Sequence, residues 1–240
     1  MENLVSAMNL CVEGLRDLFF PRKCVVCGRL LEMEERDVCA ACLAELPLTY
    51  QWTIGQNAAF ERLARRFDVE AAASLFFFGS ESDYRHILYG IKYGHRRQLG
   101  FRMGFLLGTQ LKNSRLFSRC QAVVPVPLHP LRRWKRGYNQ AEVIARGVAA
   151  AMQLPLETTL VQRHRRTKTQ TKMTGEEKTK NVQGAFRVSD ARAGELHRHD
   201  IRHILLIDDT LTTGATLASC SSPLSAAGFR ISCATLAFVG

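Results

Sequence analysis

Residues 204–216 read Ile-Leu-Leu-Ile-Asp-Asp-Thr-Leu-Thr-Thr-Gly-Ala-Thr: an apolar run, then two adjacent carboxylates, then a turn of small and hydroxylated residues. Four aliphatic residues in succession predict a strand covered on both faces, as in a parallel sheet. Ligands of such sheets bind at the carboxyl ends of the strands, where Asp208 and Asp209 fall. Thr210 and Leu211 lead to Thr212, Thr213, Gly214, Ala215 and Thr216, which open a helix predicted from Ala215. Small residues let successive N–H groups face a phosphate, the hydroxyls add donors, and the helix start contributes favourable partial charge. Two carboxylates would repel an anion there unless ribose hydroxyls and a bound Mg²⁺ intervene. The string therefore points to a sugar phosphate.

Outward from this stretch, strands and helices take turns. Ala73 to Phe78, Ala122 to Val126 (stopping at Pro127), Gly184 to Val188 and the alternation Ile231, Cys233, Thr235 read as further strands. Helical stripes lie between them: Tyr84, Ile87, Leu88 and Ile91; Leu99, Met103, Leu106 and Leu107; and Ile144, Val148 and Met152. Asn139 and Glu142 have capping-box spacing at the start of the last stripe. The fold class is α/β, a mostly parallel sheet flanked by helices. Pro223 is expected to end or kink the final helix near Ser222.

The chain has 240 residues, 46% hydrophobic and 23% charged, which excludes whole-chain disorder and fibrous repeats. Its clean apolar runs fall far short of the ~20 residues that span a bilayer. Glu2 replaces a basic leader, and Glu13, Arg16 and Asp17 interrupt the apolar positions that follow, which argues against a secretion signal and for a reducing cytoplasm. Thirty-three Lys and Arg against twenty-two Asp and Glu give a net charge of +11, which favours anionic partners of any kind.

Cysteines in that compartment suggest metal ligation or burial. Cys24 and Cys27 form one CxxC pair, Cys39 and Cys42 another, and four thiolates suit a structural Zn²⁺ with no open position for substrate. Gly28 supplies the tight turn of the first knuckle. Cys11, Cys120, Cys220 and Cys233 read as ordinary buried thiols. Residues 3–20 suggest an amphipathic helix, and the stretch around Gly55 reads as a linker. The expected division is 1–60 for the N-terminal helix and four-cysteine segment, and 68–240 for the α/β domain.

The 204–216 string resembles the phosphoribosyl pyrophosphate (PRPP) signature of type I phosphoribosyltransferases. The whole chain resembles the ComF family, which joins a four-cysteine segment to such a domain. The likeness runs from Phe20 to Phe238 and includes VPVPLHPLRRWKRGYNQAE at 124–142 and the stretch from Arg163 to Phe186. It implies that Asp208 and Asp209 contact ribose hydroxyls and that Thr212 to Thr216 hold the 5′-phosphate. The loop from Val126 and Pro127 would meet the pyrophosphate, and residues 163–181 would close over the substrate. Lys178 stands where the family usually has Arg, and it cannot reproduce a bidentate fork. The family's association with natural transformation implies single-stranded DNA and DNA-uptake proteins as partners.

Two basic clusters accompany this string. Arg132, Arg133, Lys135 and Arg136 surround Trp134, which is readable as a stacking ring or as local core. Arg163, Arg165, Arg166, Lys168, Lys172, Lys178 and Lys180 form the second. Arg165 and Lys168 are candidates for nucleic acid; Arg166, Lys178, Asp208 and Asp209 are candidates for catalysis, the two cations acting on the leaving group. Lys92, His95, Arg96, Arg97 and Arg102 could extend a positive surface or form a solvated helix face. His197, His199 and His203 read as exposed linker. Three functions stay open: PRPP and Mg²⁺ binding coupled to single-stranded DNA, an active phosphoribosyltransferase with an unidentified acceptor, and a zinc-stabilised adaptor.

Overall fold

A computed structural model describes residues 21–79, 81–163 and 184–240. Four parallel strands form the central sheet, β1 (Ala72–Phe78), β2 (Ala122–Pro125), β5 (His203–Leu211) and β6 (Arg230–Val239), in the order β1-β6-β5-β2. A separate antiparallel pair joins β3 (Val161–Arg163) to β4 (Phe186–Val188). Both faces of the sheet are covered. Leu205 and Ile207 of β5 enter one apolar cluster, while Ile204 and Leu206 enter the other. Ile231 to Phe238 are all buried, so the last strand is central and two-sided, not half-exposed.

On the first face pack α3 (Arg85–Tyr93), α4 (Arg97–Lys112) and α6 (Gln140–Met152), all three at the positions the apolar stripes predict. Gly104 of α4 and Gly147 of α6 let these two backbones touch: a Cβ on Gly104 would overlap the Ile144 carbonyl, and one on Gly147 the Phe101 carbonyl. The second face carries α2 (Ala58–Ala64), α7 (Asp190–Arg198) and α8 (Ala215–Ala226). α2 lies in the stretch read as linker, where Asn57 caps it by accepting from the N–H groups of Ala59 and Phe60 and Leu63 is fully buried.

The four-cysteine segment, with α1 (Ala40–Ala44), docks on the edge of β1. Phe77 N–H donates to Pro47 O (2.8 Å) and Thr49 N–H to Leu75 O (3.0 Å), which protects an edge strand with backbone bonds. Trp52 is buried in the same cluster as Cys24, Cys39 and Cys42.

Several expectations are corrected. α8 runs through Pro223 to Ala226 without ending at Ser222. Pro223 stands in the last turn, where its carbonyl still accepts from Ala227 (3.1 Å) and fully buried Leu224 anchors the coil. The capping box at Asn139 does not form. Asn139 Nδ2 donates instead to Val126 O (3.1 Å), and Glu142 pairs with Arg146 (2.8 Å). His197 and His203 are not linker: His197 packs on Phe229 at 4.6 Å between centroids, and His203 is buried on β5 against Ser232 Oγ (2.9 Å). Cys120, Cys220 and Cys233 are buried as expected. The helix expected over 3–20, with Cys11, lies outside the described residues.

Candidate functional site

β5 does not stop at the aspartates. β6 is long enough to pair Thr210 with Ala237 and Leu211 with Phe238, so the strand carries Asp208 and Asp209 beyond the core before the turn begins. Gly214 then adopts φ 75°, a left-handed conformation that favours glycine, at the N-cap of α8. A Cβ there would also come within 2.7 Å of Leu63 Cδ2. Thr213 Oγ1 accepts from Ala215 N–H (3.4 Å), which orders the first turn.

A cavity of about 330 Å³ opens at this end of the sheet. Val126, Pro127, Asp208, Asp209, Thr210, Thr212 and Thr216 line it. Leu211 does not: its side chain is in the core, only 2% exposed. Thr213 instead lines a neighbouring cavity with Arg62, Arg65 and Arg66, and Gly214 and Ala215 are buried beneath the turn. Arg62 Nη1 donates to Thr212 O (2.7 Å), bracing the turn from α2.

Among the described residues, Lys92, Arg136 and Arg163 are the cations that line the cavity with the two carboxylates. Lys92 Nζ lies 2.9 Å from Asp209 Oδ1 and 3.3 Å from Thr210 Oγ1. Burial pulls the Lys92 ammonium down, but the charge and hydrogen bond of Asp209 more than offset this and leave its pKa raised. Burial, and then the negative charge of Asp209, push the Asp208 carboxyl up to about 7, although it accepts Asp209 N–H (2.8 Å). Crowded carboxylates of this kind fit a hard divalent cation, which takes oxygen ligands.

The basic residues separate into different roles. The first cluster is not a plain loop: it holds α5 (Pro130–Arg136), started by Pro130 at its first position and by His129 Nδ1 accepting from Leu131 N–H (3.2 Å). Arg136 points into the cavity, with Nη1 on Gln140 Oε1 (3.0 Å). Trp134 is 86% exposed, so it is not core. Arg133 is exposed and stands 3.9 Å from Glu142. Of the third group, Arg96 and Arg102 pair with Asp37 of the cysteine segment, Arg97 stacks on Tyr138 at 4.9 Å, and Lys92 turns into the site. The side chains of Arg132 and Lys135, and all of Arg165, Arg166, Lys168, Lys172, Lys178 and Lys180, lie outside the described residues.

Lys92, Asn139 and Gln140 are site residues the sequence reading missed. The stripe at Tyr84, Ile87, Leu88 and Ile91 marks the core face of α3; Tyr89 and Lys92 flank it at helical spacing, but that spacing does not say that this flank meets the end of β5.

At the other end of the chain, the sulfurs of Cys24, Cys27, Cys39 and Cys42 lie within 4.8 Å of one another. Cys27 Sγ is 3.8 Å from Cys39 Sγ, matching the ~3.8 Å edge of a tetrahedron with zinc–sulfur bonds of ~2.3 Å. Backbone N–H groups of Cys39 and Cys42 donate to Cys24 Sγ and Cys39 Sγ, both at 3.4 Å. Gly28 has φ 75° and donates to Cys24 O (2.9 Å), closing the first knuckle. Burial opposes ionisation of Cys39, yet the Arg29 and Cys42 hydrogen bonds bring its thiol down to about 6. The donor set fits a structural Zn²⁺.

Comparison with known proteins agrees with the metal-site reading of the cysteine segment. Residues 15–52 match the double zinc ribbon domain family. The chain is 29% identical over 127 residues to competence protein F of Haemophilus influenzae, covering 53% of this chain and 54% of that protein. It is 27% identical over 135 residues to the DNA utilization protein YhgH of Escherichia coli K12, covering 55% and 56%. For YhgH of Escherichia coli O157:H7 the identity is 24% over 203 residues, covering 81% and 80%. The match to the first two relatives thus spans about half of their length. Among solved structures, the glutamine PRPP amidotransferase of B. subtilis is similar at 15% identity and a TM-score of 0.39, over 61% of this chain and 30% of that one.

Proposed function

We propose, from the premise that the relatives and the zinc ribbon fit a ComF family assignment, that the cavity at the end of β5 binds PRPP with Mg²⁺ in a protein that handles single-stranded DNA. The observation that carries the reading is the convergence of Asp208, Asp209, Thr212 and Thr216 with Lys92 and Arg136 on one cavity of about 330 Å³, within the usual range for small-molecule sites.

Asp208 and Asp209 accept from the ribose hydroxyls. Thr212, Thr216 and the N–H groups at the start of α8 hold the 5′-phosphate. Lys92, Arg136 and Arg163 meet the pyrophosphate as charge-assisted donors. Asp208 and Asp209 would hold a Mg²⁺ ion, which would supply positive charge to the pyrophosphate. The DNA half of the reading is supported by the names of the relatives, by the +11 charge and by exposed Trp134 and Arg133.

Calorimetry with PRPP and Mg²⁺ on the wild type and on a D208N/D209N variant tests the pocket. Heat of binding lost in the variant is expected, and no heat with the wild type overturns the reading. A salt series with a single-stranded oligonucleotide tests the DNA half. Each neutralised phosphate contributes ~0.7 to the logarithmic salt slope, so a flat response overturns that half.

A further inference from the structure

Three rings ride on the outer face of α3, the helix that delivers Lys92. His86, Tyr89 and Tyr93 are spaced i, i+3 and i+7, which puts them in one row. Their centroids are 6.4 Å apart from His86 to Tyr89 and 6.3 Å from Tyr89 to Tyr93. Tyr89 is 50% exposed and Tyr93 64%, whereas Ile87, Leu88 and Ile91 bury the opposite face. Packing is thus already satisfied by the aliphatic residues, and the tyrosines contribute little to it.

The Tyr93 end of the row meets a positive charge. The Arg136 guanidinium sits 5.2 Å from the Tyr93 ring centre, over its face, and Arg136 also lines the cavity, as does Tyr89. Arg136 therefore links the rings, the cavity and α5, which exposes Trp134. Two exposed rings and a half-buried one beside a guanidinium suit a strand with free base faces and phosphates, in a chain whose balance is +11. The ring planes are turned 63° between His86 and Tyr89 and 40° between Tyr89 and Tyr93, so each ring offers its own face and no parallel slot lies between them. Such a row suits the independently oriented bases of a flexible single strand, since the bases of a duplex are already stacked on one another.

We propose that His86, Tyr89 and Tyr93 form a stacking row for consecutive bases of a single-stranded nucleic acid, with Arg136 meeting its backbone where the row reaches the cavity. This rests on the single-strand half of the proposed function and names the surface that performs it.

The test is fluorescence anisotropy with a labelled oligo(dT) and with an abasic oligomer of the same length, at one salt concentration, for the wild type, Y93A, H86A and Y93F. Y93A and H86A should each weaken oligo(dT) binding by about tenfold and leave abasic binding unchanged. Y93F, which keeps the ring, should retain the affinity. Wild-type binding of oligo(dT) with no change in Y93A and H86A overturns the row alone, as does an equal loss for the two oligomers. No wild-type binding to either oligomer overturns the single-strand reading and the row with it.

Discussion

Lys92 Nζ stands 2.9 Å from Asp209 Oδ1, a cation from α3 set against a carboxylate from the end of β5. Both groups are mostly buried, at 21% and 17% side-chain exposure, so the pair is screened less than a surface bridge. Lys92 therefore competes with any metal ion for Asp209 while offering a donor to a phosphate.

Replacing Lys92 by Met should move these two affinities in opposite directions. With the ammonium removed, Mn²⁺ alone should bind about tenfold more tightly by electron paramagnetic resonance. PRPP with Mg²⁺ should bind about tenfold more weakly by calorimetry, the loss of one charge-assisted bond. Parallel changes would show that Lys92 does not stand between carboxylate and phosphate.

Protonation of Asp208 should govern cation binding. Its carboxyl is raised to about 7 from an ordinary 3.8, by burial and by Asp209, and it must lose a proton before it accepts a cation. PRPP–Mg²⁺ affinity should fall by about tenfold per pH unit below 7 for one linked proton. In D208N, residual affinity should be flat over pH 6–8. The free protein follows the opposite sign: its unfolded form ionises first, so the stabilisation present below pH 3.8 is lost as pH rises through about 7.

His203 gives a second pH signature. Burial, and then Arg230, lower its pKa below the ordinary 6.5, so the folded chain resists protonation. As pH falls through 6.5 the unfolded form gains a proton first, and stability is lost until the folded pKa is reached. Thermal unfolding of the wild type should show this extra loss over pH 7–5 relative to H203Q, and equal slopes would count against a buried neutral imidazole.

Zinc removal should be visible at Trp52, which is 5% exposed in the cluster that holds Cys24, Cys39 and Cys42. In a W134F background, where Trp52 is the one remaining indole, chelation or C39S should shift its emission to the red. The wild type should carry one zinc per chain by atomic absorption. Emission that ignores metal loss would mean that the ribbon's docking does not depend on the ion.

Gly147→Ala should cost several kcal/mol, because the new methyl meets the Phe101 carbonyl and the helices α4 and α6 must separate. Denaturant melts measure this directly, and a loss below about 1 kcal/mol would argue against close backbone contact at that crossing.

The apolar strand that leads into Asp208-Asp209, the turn at Gly214 and the paired knuckles at Cys24 and Cys39 are legible in the primary structure, because each is specified within a short window. Apolar succession, a residue tolerant of positive φ and CxxC spacing all act over fewer than about fifteen residues. The same locality explains the misreadings. The intrinsic cost of Pro223 predicts a helix end, yet Leu224 buried in the core holds the last turn of α8. His203 has polar neighbours in sequence that suggest a linker, while Ser232 and the sheet that bury it arrive later in the chain.

The assembly of the cavity belongs to tertiary structure alone. Lys92 and Asp209 are 117 positions apart, and no periodicity connects an ammonium on α3 to a carboxylate on β5. The sheet order β1-β6-β5-β2 sets β5 inside the sheet, and the packing of α3 on its first face turns Leu88, Tyr89 and Lys92 toward the strand ends. Which cation neutralises which acid depends on distance through space, and distance is fixed only when both faces of the sheet have been buried.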